Sequence, residues 1–306
     1  MNQSKVSVIL PAHNEEEALR EIVLSVQGAL TENGITGEVI VVDDGSEDRT
    51  MEVAESLTKE ISGLKVLSHR VNLGKTAAIE TGIKGSTGDF VVFMDADLQY
   101  NPRDIPLFLK PFESGFDFVN GWRNFSKYPL RKRVPSKIYN FLARKMFKVN
   151  VHDMNCGYKA FRREVAKDFE FKPGYHRYFV GVAARKGYKI CEVEVNLSGR
   201  RYGRSSFGWR RLIEGSLDLV SVWLLMIIAR KPMLIFGLGG MTLSGIGFFL
   251  LLDLIASQII YGVPLVLRPL LIISLILIVS GIQLFSMGLI AELFLSKRRQ
   301  NSEHNS

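Results

Sequence analysis

Cysteine is scarce: the 306 residues contain two, Cys156 and Cys191. That excludes a disulfide framework and a cysteine-based zinc cluster, and it fits ordinary thiols in a reducing compartment. A signal-peptide core is also lacking. The first apolar run, in MNQSKVSVILPAHNEE, is too short for one and reads as a first strand, which keeps the domain it opens in the cytoplasm. Acidic residues are absent from one whole segment, because Arg123 to Lys148 holds nine lysines and arginines and no aspartate or glutamate. With a net charge of +8, such a segment suits nucleic acid, an anionic membrane surface or a phosphorylated substrate. No helix-turn-helix, zinc-finger or aromatic RNA-binding signature accompanies it, which sets nucleic acid aside.

Charge is nearly missing from two long stretches near the C-terminal end. Residues 234–256 and 270–295 are each close to the ~20 apolar residues that cross a bilayer. Asp253 and Glu292 are the only acids there, and both lie near span ends, where ionisable groups cost less. Arg230 and Lys231 precede the first span, Lys297, Arg298 and Arg299 follow the second, and the connecting loop carries only Arg268. The positive-inside rule then places both termini in the cytoplasm. Gly237, Gly239, Gly240, Gly245 and Gly247 offer small residues for helix packing, within the hairpin or between subunits of a homo-oligomer. Residues 210–231, polar at the start and basic at both ends, suit an amphipathic segment lying in the membrane interface. Residues 300–306 form a short polar tail.

The first two-thirds of the chain have a different texture. Residues 6–10, 38–42, 64–67 and 89–94 are short runs rich in β-branched residues, with helical stretches at 15–30 and 50–61 between them. Strand and helix in alternation predict an α/β fold with a parallel sheet covered on both faces. Ligands of such sheets bind beyond the carboxyl ends of the strands. The unusual residues fall there: PAHNEE after the first strand, DDGS after the second, HRVNLGK after the third and DADLQ after the fourth. Four polar loops on one edge describe a nucleotide-sized pocket.

Within those loops, Asp43 and Asp44 fit either a turn with a helix cap or a contact to a base or ribose. NLGKT resembles the end of a P-loop, but the first glycine of that motif would fall at His69, so the P-loop is rejected. Lys75 remains placed to reach a phosphate. Asp95 and Asp97 stand one residue apart after an apolar run. If the strand continues that far, both carboxylates face one side, where they either open a solvated loop or flank a cation.

Taken in order, PAHNEE, VVDDGSEDRT, NLGKTAAIETG, FMDADLQYNP, DMNCGYKAFRR and RRYGRSS resemble the family 2 glycosyltransferases of the polyprenyl-phosphate class, which includes the dolichol-phosphate mannosyltransferases. No one motif is specific, but six in order are. The resemblance covers residues 4–210, and the two-span hairpin looks like that of the bacterial members. It implies a GT-A nucleotide-binding sheet in residues 1–209 and a transmembrane hairpin in 232–299. It further implies that Pro11, Ala12, Asn14, Glu15 and Asp44 hold the donor nucleoside, with His13 at a position often filled by an aromatic. Asp95, Asp97 and Gln99 match a motif that binds diphosphate and Mg2+ or Mn2+, ions that favour hard oxygen ligands. Arg123, Ser136 and one of Arg131 or Arg133 are implied for the acceptor phosphate, and guanidinium forks suit that task. Arg201 matches the arginine of an R-x-G-x-S-K pattern whose lysine is replaced here by Ser206. Asp153 matches the position usually proposed as a base. A phosphate acceptor is already largely ionised at neutral pH, so orienting the acceptor, steadying charge at the sugar carbon or capping a turn are roles equally open to it. Cys156 beside it reads as packing.

The expected activity is inverting transfer of one hexose from a nucleotide sugar, of the UDP-glucose or GDP-mannose type, to a polyprenyl phosphate at the cytoplasmic membrane face. A processive polysaccharide synthase would show a Q-x-x-R-W motif and more spans. A non-catalytic scaffold or lipid-flipping partner would not need an intact DADLQ.

Overall fold

The computed structural model describes residues 4–123, 130–169, 171–172, 174–198, 232–262 and 269–303. The chain divides into two compact units, Met1–Asp218 and Leu219–Ser306. The interfacial segment expected at 210–231 lies outside the described residues.

The first unit is built on seven strands: β1 (Val6–Ala12), β2 (Gly37–Asp43), β3 (Leu64–Ser68), β4 (Phe90–Phe93), β5 (Phe118–Arg123), β6 (Lys159–Arg162) and β7 (Ile190–Val195). They pair in the order β3-β2-β1-β4-β6-β5-β7. Helices α1 (Leu19–Glu32), α2 (Thr50–Thr58), α3 (Lys75–Gly85), α4 (Ile105–Glu113), α5 (Leu130–Phe147) and α6 (Phe179–Lys186) alternate with them. The four expected strands form the parallel half of the sheet. The sheet as a whole is mixed, which corrects the all-parallel expectation: β6 runs antiparallel to both β4 and β5. The three strands that apolar runs do not predict carry polar residues, Asn120 and Glu192 within β5 and β7 and Lys159 at the start of β6. The reversal matters for the site. Lys159 pairs with both Phe93 and Asn120, so the start of β6 lies at the edge where β4 and β5 end.

Apolar spacing explains how the layers pack. Leu19, Ile22, Val23, Val26, Ala29 and Leu30 make one stripe of α1, bury completely and join Val8, Leu10, Val39 and Val41 in the main core. A second cluster is aromatic: Phe118 stacks on Phe161 at 5.6 Å, and Phe169 on Phe179 at 4.2 Å. At the edge where the parallel strands begin, buried Glu38 ties three strands together. Its Oε1 accepts from Ser7 Oγ at 2.7 Å, Thr87 N at 2.6 Å and Thr87 Oγ1 at 2.8 Å, and its Oε2 meets Lys65 Nζ at 2.7 Å. Burial alone would raise this carboxyl, but the bonds from Lys65, Ser7 and Thr87 outweigh it and hold the group at about 2.

The second unit is a helical hairpin. A short π-helical turn, Met233–Gly237, leads into α7 (Leu238–Tyr261), and α8 spans Pro269–Glu303. Met233–Tyr261 and Pro269–Ser296 are long and apolar enough to cross a membrane, with mean hydropathies of 1.9 and 2.5. Only 11% of each apolar window is buried within the protein, whereas a core helix of a soluble domain would be mostly covered. The glycines divide by role. A methyl group on Gly240 would come 2.5 Å from Gly281 O, and one on Gly247 would come 2.7 Å from Ser274 O. These two set the contact between the helices, supported by Ser244 Oγ donating to Ile278 O at 3.2 Å. Gly239 and Gly245 face open space. Of the two acids, Glu292 accepts from Met233 N at 3.4 Å near the start of the first helix, whereas Asp253 is exposed.

Two outcomes are expected. Because the folded Glu38 carboxyl sits below its ordinary value of 4.5, its stabilisation is complete above that value and is lost as pH falls toward about 2. Thermal unfolding of the detergent-solubilised protein should show that loss for the wild type, and Glu38→Gln should flatten it while destabilising at neutral pH by about 2 kcal/mol. In the hairpin, Gly240→Leu should force α7 and α8 apart. Cross-linking of cysteines introduced at Ser244 and Ile278 should then drop to background, and unchanged cross-linking would refute close packing at Gly240.

Candidate active site

Six strands end, and β6 begins, at one edge of the sheet, and the loops leaving that edge gather the polar groups. On the side of β1 and β2, Ala12 O accepts from Asp44 N at 2.8 Å, locking the two loops together just past Pro11. Asn14 adopts a left-handed backbone (φ 56°), which turns its side chain onto Glu47 N at 2.8 Å while its own N–H donates to Ser46 Oγ at 2.9 Å. Glu15 N donates to Thr50 Oγ1 at 2.8 Å. Asp44 is almost fully buried, and its Oδ1 lies 2.8 Å from His69 Nδ1 and 2.9 Å from Leu73 N. His69 reaches Thr81 Oγ1 through Nε2 at 2.9 Å, so it bridges α3 to the end of β2. His13 lies with Nδ1 3.0 Å from Asp44 O and Nε2 3.0 Å from Asn72 Nδ2. Asp43 turns to Ser46.

In the middle of the edge, β4 ends at Phe93, two residues short of Asp95. Its ladder with β6 stops at the Phe93–Lys159 pair, and only Met94 N continues to Ile9 O at 3.3 Å. Asp95 and Asp97 therefore stand on a loop, with Leu98 left-handed (φ 58°), and strand alternation does not fix which way they face. That corrects the geometric premise about the pair. Lys75, the first residue of α3, forms an ion pair with Asp95. Asp97 is nearly buried and accepts from Gln99 N at 3.2 Å and from Gln99 Nε2. Thr76 Oγ1, next to Lys75, lies 2.8 Å from His176 Nδ1. The donor set fits a hard divalent cation: two carboxylates and an amide oxygen within five residues, one carboxylate already holding an ammonium.

Beyond β4, Arg123 at the end of β5 grips Asp153. Nε donates to Oδ2 at 2.5 Å and Nη2 to Oδ1 at 3.1 Å, and Nη2 also reaches Asn155 O at 3.2 Å. Burial opposes the charge on Arg123, yet the Asp153 carboxylate beside it raises its pKa well above the ordinary value. Asp153 is fully buried and takes a further bond from Asn155 N at 3.2 Å. A carboxylate so placed serves as the anchor of a guanidinium. Ser136 is half-buried on α5, one turn before Asn140, whose Oδ1 accepts from Met154 N at 3.0 Å. Arg131 and Arg133 fall in the first turn of α5, with side chains outside the described residues, and Arg201 lies wholly outside them. Burial drives the pKa of Cys156 up, which disfavours the thiolate and agrees with packing.

The turn Asp153–Gly157 brings the two sides together. Gly157 N donates to Tyr100 OH at 2.8 Å, and a methyl group at Gly157 would come 2.7 Å from Asp95 Oδ2. His69, Asn72, Tyr100, Asn120 and Lys159 belong to this edge and were not singled out from the sequence. His69 and Asn72 sat inside the flagged loop HRVNLGK and Lys159 inside DMNCGYK, whereas Asn120 gave no signal at all. A cavity of about 450 Å3 lined by Leu24, Gly28, Glu32 and Arg103 shares no residue with this edge.

Comparison with known proteins agrees with this geometry. The model of the family "Glycosyl transferase family 2" matches residues 7–169. The chain is 31% identical over 294 residues to dodecaprenyl-phosphate galacturonate synthase of Rhizobium johnstonii, covering 94% of this chain and 87% of that protein. It is 30% identical over 291 residues to undecaprenyl-phosphate 4-deoxy-4-formamido-L-arabinose transferase of Pseudomonas aeruginosa, covering 94% and 84%. Among solved structures, glucosyl-3-phosphoglycerate synthase from Mycobacterium tuberculosis, in complex with Mn2+, uridine diphosphate and glucosyl-3-phosphoglycerate, aligns with a TM-score of 0.57 and 26% identity. It covers 73% of this chain and 79% of that one. With the GT-A-like mixed sheet, the acid-rich edge and a match over more than half its length, the chain belongs to glycosyl transferase family 2.

Proposed function

We propose that this chain is an inverting glycosyltransferase that moves one sugar from a nucleotide sugar to a polyprenyl phosphate at the cytoplasmic face of a membrane. The observation that carries the reading is the turn Asp153–Gly157, which abuts the Asp95 carboxylate on one side and bears the Arg123–Asp153 pair on the other, in a chain that also has two membrane-length helices. The names of both polyprenyl-phosphate relatives support the acceptor class. The donor is left wider than UDP-glucose or GDP-mannose, because those names specify galacturonate and a formamido-arabinose.

The loops after β1 and β2 hold the nucleoside, with Pro11, Ala12, Asn14, Glu15 and Asp44 as its walls. Asp95, Asp97 and Gln99 would hold Mg2+ or Mn2+, and such an ion would supply neutralisation of the departing nucleoside diphosphate. Lys75 moves from Asp95 to a diphosphate oxygen when the donor enters. Arg123, Ser136 and the arginines of α5 orient the acceptor phosphate, and Arg201 joins them. An acceptor oxygen attacks the anomeric carbon as the bond to the diphosphate oxygen breaks on the opposite face. The acceptor's second pKa is about 6, so no proton needs to be removed at neutral pH. Asp153 therefore acts by holding the Arg123 guanidinium in a fixed orientation. The helical hairpin anchors the chain in the membrane that carries the acceptor lipid, with both termini on the cytoplasmic side.

Purified protein incubated with a panel of labelled nucleotide sugars, uronic acid and amino-pentose donors included, should label undecaprenyl or dodecaprenyl phosphate. EDTA and Asp97→Ala should each abolish that label, with Asp97→Ala leaving the thermal unfolding temperature close to wild type; full activity in that variant would refute the metal-site assignment. Gly157→Ala should lower kcat by at least about 10-fold by displacing Asp95. Wild-type rates in that variant would show that the contact does not matter.

A further inference from the structure

We infer that Lys159 is the positioning residue that holds the Asp153–Gly157 turn across both halves of the site. The inference rests on the transferase reading for its kinetic consequence but not for its geometry. Lys159 opens β6 with 1% of its surface exposed, too deep to meet a substrate. Its Nζ donates to Cys156 O and lies 3.5 Å from Met154 O, two main-chain carbonyls of the turn. Among the described residues no carboxylate lies within ion-pair distance of it.

A buried ammonium is expensive, and a methionine of similar length would fill the space without that desolvation penalty. Charge-assisted bonds to carbonyls are roughly twice as strong as neutral ones, and here they land on one turn. That turn has no regular ladder of its own. It is held from outside by Arg123 on the carboxylate of Asp153 and the carbonyl of Asn155, by Asn140 on Met154 N, and by Tyr100 on Gly157 N. Lys159 fixes the carbonyls that these groups leave unused, and it does so from beneath the sheet edge. Without it, Gly157 can drift from Asp95 while Asp153 and Arg123 shift against the acceptor. The charged and titratable groups around the ammonium are Asp153, Cys156, Lys75 and Arg123.

The full-length protein in detergent tests this, as wild type, Lys159→Met and Lys159→Arg. With the donor that the wild type uses, Lys159→Met should lower kcat about 10- to 100-fold while the KM for the nucleotide sugar stays within about 2-fold. A folded Lys159→Met protein with wild-type kcat would overturn the inference. Burial holds the Lys159 pKa down at about 8, so wild-type kcat should fall as pH rises through that value. Lys159→Arg, which stays charged, should hold its rate level there, and matching alkaline limbs in both proteins would count against the role. A third measurement needs no activity. In a Cys191→Ser background, alkylation of buried Cys156 reports opening of the turn and should quicken at least about 10-fold in Lys159→Met at constant pH. An unchanged alkylation rate refutes the clamp. If the wild type transfers no sugar from any donor, the transferase reading fails, and the alkylation result still decides the role of Lys159.

Discussion

Carboxylates crowded onto one sheet edge repel one another, and the site of this chain is arranged around that constraint. Asp43, Asp44, Asp95, Asp97 and Asp153 all leave the same edge, and each is met by a donor, which for Asp44, Asp95 and Asp153 comes from a distant part of the chain. Ser46 meets Asp43, His69 and Leu73 N meet Asp44, Lys75 meets Asp95, Gln99 meets Asp97, and Arg123 meets Asp153. Two of these donors are full cations, and they divide the edge. Lys75 makes a single ammonium contact with the partly exposed carboxylate of Asp95. Arg123 is bound through two nitrogens to a buried carboxylate, a pairing that is costly to break once water is excluded.

The reversed strand is what lets the two sides touch. Were β6 parallel to its neighbours, its start would lie at the far edge, and the turn Asp153–Gly157 would be remote from Asp95. Running antiparallel, β6 brings that turn up at the ends of β4 and β5 and sets Gly157 against the Asp95 carboxylate. The opposite edge has its own buried carboxylate. There Glu38 binds Ser7, Thr87 and Lys65, and its bonds join the starts of the strands into a base from which the loops of the site project.

The hairpin follows a separate principle. In a bilayer no hydrophobic gain draws two apolar helices together, so close packing at small residues must supply the attraction. Gly240, Gly247 and Gly281 provide it by letting backbones approach, while Phe249, Ile259 and Phe294 stay exposed on the outer surface, where lipid would cover them.

Composition and spacing alone determined a good deal: the α/β alternation, the polar loops at one edge, the two membrane-length helices and the motif order that marks the family. Each of these is local, readable from apolar periodicity or from a short run of residues. Strand–helix alternation by itself points to an all-parallel sheet, and the reversal of β6 depends on pairing partners far along the chain. Strands β5, β6 and β7 escape apolar patterning, since Asn120 and Glu192 interrupt β5 and β7 and Lys159 opens β6 with a charge. The Asp95–Asp97 alternation was expected to come from β4, but that strand ends when β6 no longer pairs with it. Which cation meets which carboxylate was decided by tertiary structure. Lys75 and Asp95 are 20 residues apart, and Arg123 and Asp153 are 30 apart. Only the crossing of the chain through the sheet brings them within bonding distance.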